Sequence, residues 1–218
     1  ALDQRDIYYD PSNGYYGVQR LGVYGIFNNE REHYIRSDTK AEYFLTLFNL
    51  PVTENWSFKA VLGLHSGLSL IVKQPHDRDK LIPSIEEANM LSVDGMFIGR
   101  GWSNQYHRYG LTLWENWAEI RLPLVANVIA WDFFFDAAGV EGPEDQGKYF
   151  QGFSMDDMRF SFGGGIRFTI PQFPFRFSLA KRFRTENGNF KWEKGAIWSD
   201  DNPNSGVDFV ISFALSSY

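Results

Sequence analysis

The stretch FTIPQFPFRFSLA, residues 168–180, carries a bulky apolar side chain at every second position on both sides of a proline-marked turn. Read with the two-residue period of a strand, Phe168 and Ile170 share one face before the turn, and Phe175, Phe177 and Leu179 share one face after it. The opposite face holds Thr169, Arg176, Ser178 and Ala180. The segment therefore predicts a β-hairpin with one side suited to oil and the other to water.

Working outward, the same alternation recurs in about eight segments, near 14–27, 33–49, 55–72, 107–123, 126–138, 157–170, 174–185 and 206–218. Each is close to or longer than the roughly 9–11 residues with which a tilted strand crosses a bilayer. In the second segment Ile35, Ala41, Tyr43, Leu45 and Leu47 oppose Arg36, Asp38, Lys40, Glu42 and Thr46. In the third, Trp56, Phe58, Ala60, Leu62, Leu64, Leu68 and Leu70 oppose Ser57, Lys59, Gly63, His65, Gly67 and Ser69. The fifth sets Ile129, Trp131, Phe133 and Phe135 against Asp132 and Asp136. Connections are short at 50–54, 123–126 and 171–173 and long at 73–106, 139–156 and 186–205, with 28–32 a brief exception. Turn formers mark them, among them Pro51, Pro123, Pro171, Pro174, Gly142-Pro143, Asn187-Gly188 and Asn202-Pro203. Short turns at one end and long loops at the other are how outer-membrane barrels are built.

Alternation alone fits either a membrane barrel or a soluble β-sandwich or lipocalin-like barrel, whose apolar rows point inward. The size of the apolar side chains favours the membrane. Trp56, Trp114, Trp131 and the many phenylalanines would overfill an eight-stranded barrel, whose interior takes only modest side chains. Gly63, Gly67, Gly163 and Gly165, on the polar face, would border a lumen without filling it. The expected fold is an all-β, antiparallel transmembrane β-barrel region over 1–218, with a long lumen or extracellular loop at 73–106.

Composition narrows the function. The 218 residues are 17 % aromatic, carry a formal charge of −6 and contain no cysteine. The acidic balance excludes the basic face that nucleic-acid binding needs. Without cysteine there are no disulfides, thiolate metal sites or cysteine nucleophiles. The chain begins at Ala1 without a leader, which predicts either a removed export signal or a piece of a longer protein. No G-x-S-x-G, H-E-x-x-H or phosphate loop is present, so neither catalysis nor a cofactor is expected. His76, Asp77 and Asp79 in QPHDRD read as a solvated charge run, and no metal site is expected.

Three places break the plain alternation. In DQRDIYYDPSNGYYG, residues 3–17, the cluster Asp3, Arg5 and Asp6 precedes Pro11 and Gly14 in a turn into the first long strand. In MFIGRGWSNQY, residues 96–106, Arg100 lies between Gly99 and Gly101, ahead of Trp102, in a loop too long to be mere connection. Either Arg100 is solvated at the surface, or it meets a carboxylate from the polar faces that follow: Glu115, Glu119, Asp132 or Asp136. In GVDFVISFALSSY the terminal strand has Phe209, Ile211, Phe213 and Leu215 on its apolar face, and Tyr218 out of phase with them.

The run D-x-R-D-x-x-x-x-P-x-x-G, the arginine-glycine-aromatic loop and the strand motifs around AEIRLP and FFFDAAGV resemble, in order and spacing, the BamA-like family of outer-membrane insertases and their relatives in two-partner secretion. The resemblance covers essentially the whole chain but only the last eight strands of that family's sixteen-stranded barrel. It implies that Arg100 is similar to the family's lumen-loop arginine, with Glu119 and Asp136 similar to its acidic partners. It also implies that the terminal strand closes the barrel at a lateral gate, where incoming strands pair before release into lipid. Two departures are Gly99, where the family has a branched aliphatic residue, and Trp102, where it has Phe or Tyr. The expected function is the C-terminal barrel portion of an insertase in the outer membrane of a diderm bacterium. Its expected partners are the lipid bilayer, unfolded client proteins, and the missing barrel strands and periplasmic domains or accessory lipoproteins. A two-partner-secretion transporter and a small autonomous barrel, structural or adhesive and closed on its own eight strands, are the alternatives.

Overall fold

A computed structural model of the protein describes residues 1–8, 10–25, 34–54, 56–73, 85, 87–102, 109–125, 128–141, 155–170 and 175–213. The strands are β1 (Leu2–Asp3), β2 (Gly14–Tyr24), β3 (Tyr34–Thr53), β4 (Trp56–Lys73), β5 (Leu91–Ser92), β6 (Tyr109–Gly110), β7 (Thr112–Val125), β8 (Ile129–Glu141), β9 (Met158–Phe168), β10 (Phe175–Glu186), β11 (Asn189–Trp192) and β12 (Asp208–Phe213). The large sheet runs β1-β2-β3-β4-β7-β8-β9-β10-β11 with β12 also on β10, and β5 and β6 form a separate ribbon. All its pairings are antiparallel. The fold class is thus the expected one, and the long strands β2, β3, β4, β7, β8, β9, β10 and β12 lie on the eight alternating segments.

Orientation follows the rings. Trp131, Phe133 and Phe135 are 39 %, 49 % and 44 % exposed, whereas Asp132, Phe134 and Asp136 between them are 4 %, 5 % and 1 % exposed. On β12 Phe209, Ile211 and Phe213 are exposed, and Val210 and Ser212 are buried. A soluble barrel would show the reverse. The charged row of β3 faces the concave side: Ser69 donates to Asp38 at 2.6 Å, and Lys40 pairs with Glu115 of β7 at 3.1 Å.

The concavity has a simple geometric proof. Asp10, just ahead of β2, accepts a 2.7 Å bond from Arg167 of β9. β2 and β9 are five strand spacings apart in the sheet order, on the order of 24 Å if flat. The sheet must therefore curl to bring them together. It does not close: among the described residues β12 pairs with β10 alone, and β2 with β1 and β3 alone. The expectation that eight strands could close by themselves is thus not met, since closure would need a β2–β12 ladder.

Two connections hold more structure than the sequence predicted. The loop expected over 186–205 begins with a tight hairpin, because Asn187 and Gly188 both take left-handed φ, 51° and 77°, as a two-residue hairpin turn requires. β11 then pairs with the far end of β10 (Glu186↔Asn189 to Phe183↔Trp192), while β12 pairs with its near end (Ala180↔Asp208 to Phe175↔Phe213). Residues 193–207 leave the sheet between them, pinned by Lys181 Nζ to the carbonyls of Glu193, Asn204 and Gly206 at 3.0, 2.6 and 2.8 Å. The second case is the segment expected as one strand over 107–123, which divides at Leu111 into β6 and β7.

The entry turn is built on Asp6, whose carboxylate accepts the amides of Ile7, Ser12 and Asn13 at 2.9, 2.8 and 3.1 Å and also the Ser12 hydroxyl. Asp3 and Arg5 pair with one another at 2.7 Å. Gly14 has φ +109°, and a Cβ there would stand 2.2 Å from the Gln4 carbonyl oxygen, so no other residue fits. Pro11 and Ser12 are buried. The charge run at 76–79, the proline turn at 171–174, Gly142-Pro143, and Leu215 and Tyr218 lie outside the described residues.

Two outcomes follow. Phe133→Arg places a cation on the outward wall and is expected to lower stability in lipid vesicles by about 2–4 kcal/mol in urea titrations; a change near zero would mean that Phe133 does not face hydrocarbon. Burial works against the charge of Asp6, but the donors from Ser12, Asn13 and Ile7 outweigh it and hold its carboxyl below the usual range. The stabilisation this gives the turn is complete above roughly pH 4, the unfolded value, and is lost as pH falls through the lower folded value. The amide shifts of Ser12 and Asn13 should titrate with a midpoint below that of the isolated 3–17 peptide, and an equal or higher midpoint would contradict the arrangement.

Candidate functional site

The loop between β4 and β7 folds back onto the concave face. Its β5–β6 ribbon fixes one end, and Asp94 gathers the chain beyond it by accepting the amides of Met96, Phe97 and Ile98 at 2.8, 2.8 and 3.0 Å. Leu91, Val93 and Trp102 join Ile71, Leu113 and Val140 of the wall in one apolar cluster. The Trp102 indole, 2 % exposed, donates to the Phe160 carbonyl at 3.0 Å and lies under the Arg182 guanidinium, 5.0 Å from its ring centre. Gly99 and Gly101 take left-handed φ of 62° and 91°, and a Cβ at Gly99 would approach Val93 to 2.8 Å. The two glycines thus let the backbone press against the wall and present Arg100 to it.

The strand register supplies the receptor. β7 and β8 pair Glu119 with Phe134 and Trp117 with Asp136, so Glu119 and Asp136 are diagonal neighbours on the concave face with Phe134 beside both. Arg100 spans that diagonal. Its Nε and Nη2 donate to the two oxygens of Asp136 at 2.7 and 2.6 Å, its own amide donates to Asp136 at 3.0 Å, and Nη1 donates to Glu119 at 2.7 Å. The guanidinium carbon sits 3.7 Å from the centre of the Phe134 ring. Gly163 of β9 makes room for that ring, since a Cβ there would come within 2.9 Å of it.

Glu119 is shared. Besides Arg100 it accepts from Arg121 at 3.0 and 2.9 Å and from Arg176 of β10 at 3.0 Å. Arg167 donates to Asp132 and to Asp10, each at 2.7 Å. These contacts form two neighbouring groups, Arg100, Arg121 and Arg176 on Glu119 and Asp136, which join the loop to β7, β8 and β10, and Arg167 on Asp132 and Asp10, which joins β9 to β8 and the entry turn. Of the other carboxylates that spacing had left open for Arg100, Glu115 faces Lys40 and His65 and Asp132 faces Arg167. A second group lies alongside: His65 stacks on Trp117 with ring centres 5.3 Å apart, between Glu42 and Glu115, each 3.4 Å away.

Sequence reasoning passed over Phe134, Arg121, Arg167 and Arg176. Parity could have found Phe134, since it shares a face with Asp132 and Asp136. The arrangement fixes the loop to the wall through Arg100. No group of three or more His, Asp or Glu residues among the described residues has the geometry to hold a metal ion.

Comparison with known proteins assigns the chain. An Omp85 superfamily domain matches residues 1–212. A protein of Treponema pallidum (strain Nichols) that is named as an outer membrane protein assembly factor is 34 % identical over 242 aligned residues, which take in 100 % of this chain and 27 % of that protein. The chain thus spans about a quarter of that relative's length. The antiparallel sheet with its outward apolar rows is integral to the outer membrane, and the chain belongs to the Omp85 superfamily.

Proposed function

We propose that the chain is the C-terminal barrel portion of an outer-membrane protein assembly factor, an insertase that folds client β-barrels through a lateral gate without cofactor or covalent chemistry. The observation that carries this reading is the Arg100 fork, which holds a long loop down on the inner wall beside the sheet's last strands. A barrel that must admit strands at one seam needs the rest of its wall to stay rigid, and a buried ionic network supplies that rigidity. The edge of β12 away from β10, unpaired among the described residues, supplies the other half, a row of backbone donors and acceptors to which an extended client segment adds by β-augmentation. Strands and periplasmic domains outside this chain complete the barrel and deliver clients. Residues 1–218 then act as one barrel region, with 73–106 as its lumen loop.

In the intact protein, Arg100→Ala and Asp136→Ala each break a buried pair, costing about 3–5 kcal/mol of loop docking. Hydrogen exchange over 91–102 should rise in both. Arg100→Lys should behave like Arg100→Ala, because an ammonium cannot make the fork to Asp136 while also reaching Glu119. Glu119→Ala should also loosen the wall around β10 by releasing Arg121 and Arg176. Assembly of a client barrel in proteoliposomes, read by its heat-modifiable gel mobility, should slow in all four; full assembly rates with a loosened loop would refute the role given to Arg100.

A further inference from the structure

At the short-turn end of the concave face, below the arginine network, lies a cavity of about 200 Å³. The entry turn forms its floor through Pro11 and Ser12, and β4, β7, β8 and the end of β9 form its walls. This is less than the roughly 300–1,000 Å³ of sites that take drug-sized ligands, so whatever fits is small. Its walls are of two kinds. Val61, Pro123 and Ile129 give an apolar surface, while Lys59, Arg121 and Arg167 bring three cations to it against the single carboxylate of Asp10.

The cations are not equally committed. Arg167 is held by Asp132 and Asp10. Arg121, 6 % exposed, gives Nε and Nη2 to Glu119, which leaves Nη1 as its uncommitted donor. Lys59 has no carboxylate partner among the described residues, although the chain as a whole carries a charge of −6 and most other cations of this face are paired. The Thr169 hydroxyl, also on the wall, is buried without a hydrogen-bond partner. Unspent donors around an apolar hollow select a ligand that brings one negative charge and a compact apolar body.

We propose that this cavity is a binding site for a small amphiphilic anion, a carboxylate or phosphate on a body about the size of one ring or short alkyl chain. Lys59 and Arg121 Nη1 hold the acid group, Thr169 donates to it, and Val61, Pro123 and Ile129 enclose the body. The site does not include Arg100, touches its network through Arg121 alone, and does not depend on the insertase reading.

The test uses the intact protein in nanodiscs with 4-fluorophenylacetate as probe, followed by fluorine NMR. A saturable shift is expected, weakened at least tenfold when the probe is 4-fluorophenylacetamide, which keeps the body and loses the charge. Lys59→Gln should weaken it by a similar factor, and Val61→Trp should abolish it by filling the hollow. Lys59 is half-exposed and outside the ionic network, so its variant should keep the fold, which heat-modifiable gel mobility checks. Inorganic phosphate should compete poorly for want of an apolar body. Whichever of hexyl phosphate and N-acetylphenylalanine displaces the probe at lower concentration identifies the natural source as a phosphorylated amphiphile or a peptide terminus. No saturable shift, equal binding of the amide, binding unaltered in either variant, or displacement by neither competitor would overturn the proposal.

Discussion

A guanidinium can be buried in this wall only if carboxylates wait for it, and the diagonal between Glu119 and Asp136 is where the two halves of the structure meet. The loop contributes the cation and the sheet contributes the anions. Removing a buried charge from water costs several kcal/mol, which the pair recovers only with close geometry and full hydrogen bonding. Three of the guanidinium's nitrogens and the Arg100 amide are engaged at 3.0 Å or less, so the condition is met. Because Glu119 also holds Arg121 and Arg176, strain at the loop is felt on β7 and β10 together.

The outward rows answer to a different constraint. In hydrocarbon every backbone donor and acceptor must find a partner within the protein, which leaves a paired sheet as the way for these strands to cross. Rings such as Trp131, Phe133 and Phe135 can then face lipid freely, and the polar row between them is turned onto the concave side. The margins are the exception: among the described residues the outer edge of β2 is covered by the two-residue β1 alone, and β12 keeps one edge unpaired.

Much of the wall was legible because strand period and membrane orientation leave the same mark: a large apolar residue at every second place, as in Phe175, Phe177 and Leu179. The flanking glycines singled out Arg100 for the same reason, since only a loop pressed against a surface needs them. Its partners were not legible from spacing, although the family resemblance pointed to Glu119 and Asp136, the two carboxylates that Arg100 meets. Glu115, Glu119, Asp132 and Asp136 all lie on polar faces, and what separates them is the register of β7 on β8, a long-range pairing that spacing along one strand does not encode. β11 escaped for a related reason. Asn187-Gly188 announced a turn, but a strand of four residues with both Phe190 and Trp192 exposed has too little alternation to stand out from a loop.

The excursion of residues 193–207 anchors the last strand at one end. β12 is zipped to β10 over six residue pairs, and the fifteen residues upstream are tied down by Lys181 and by the Ile197–Val207 bridge just ahead of Asp208. Its upper tooth is the strongest, because Asp208 is bonded to Arg182 at 2.6 Å and also accepts the Ala196 amide at 3.1 Å. Phe213, at the other end, is held by ring contact with Phe175 and by the ladder alone among the described residues. A sideways pull on this seam therefore peels it from the short-turn rim upward, with Asp208 as the fulcrum.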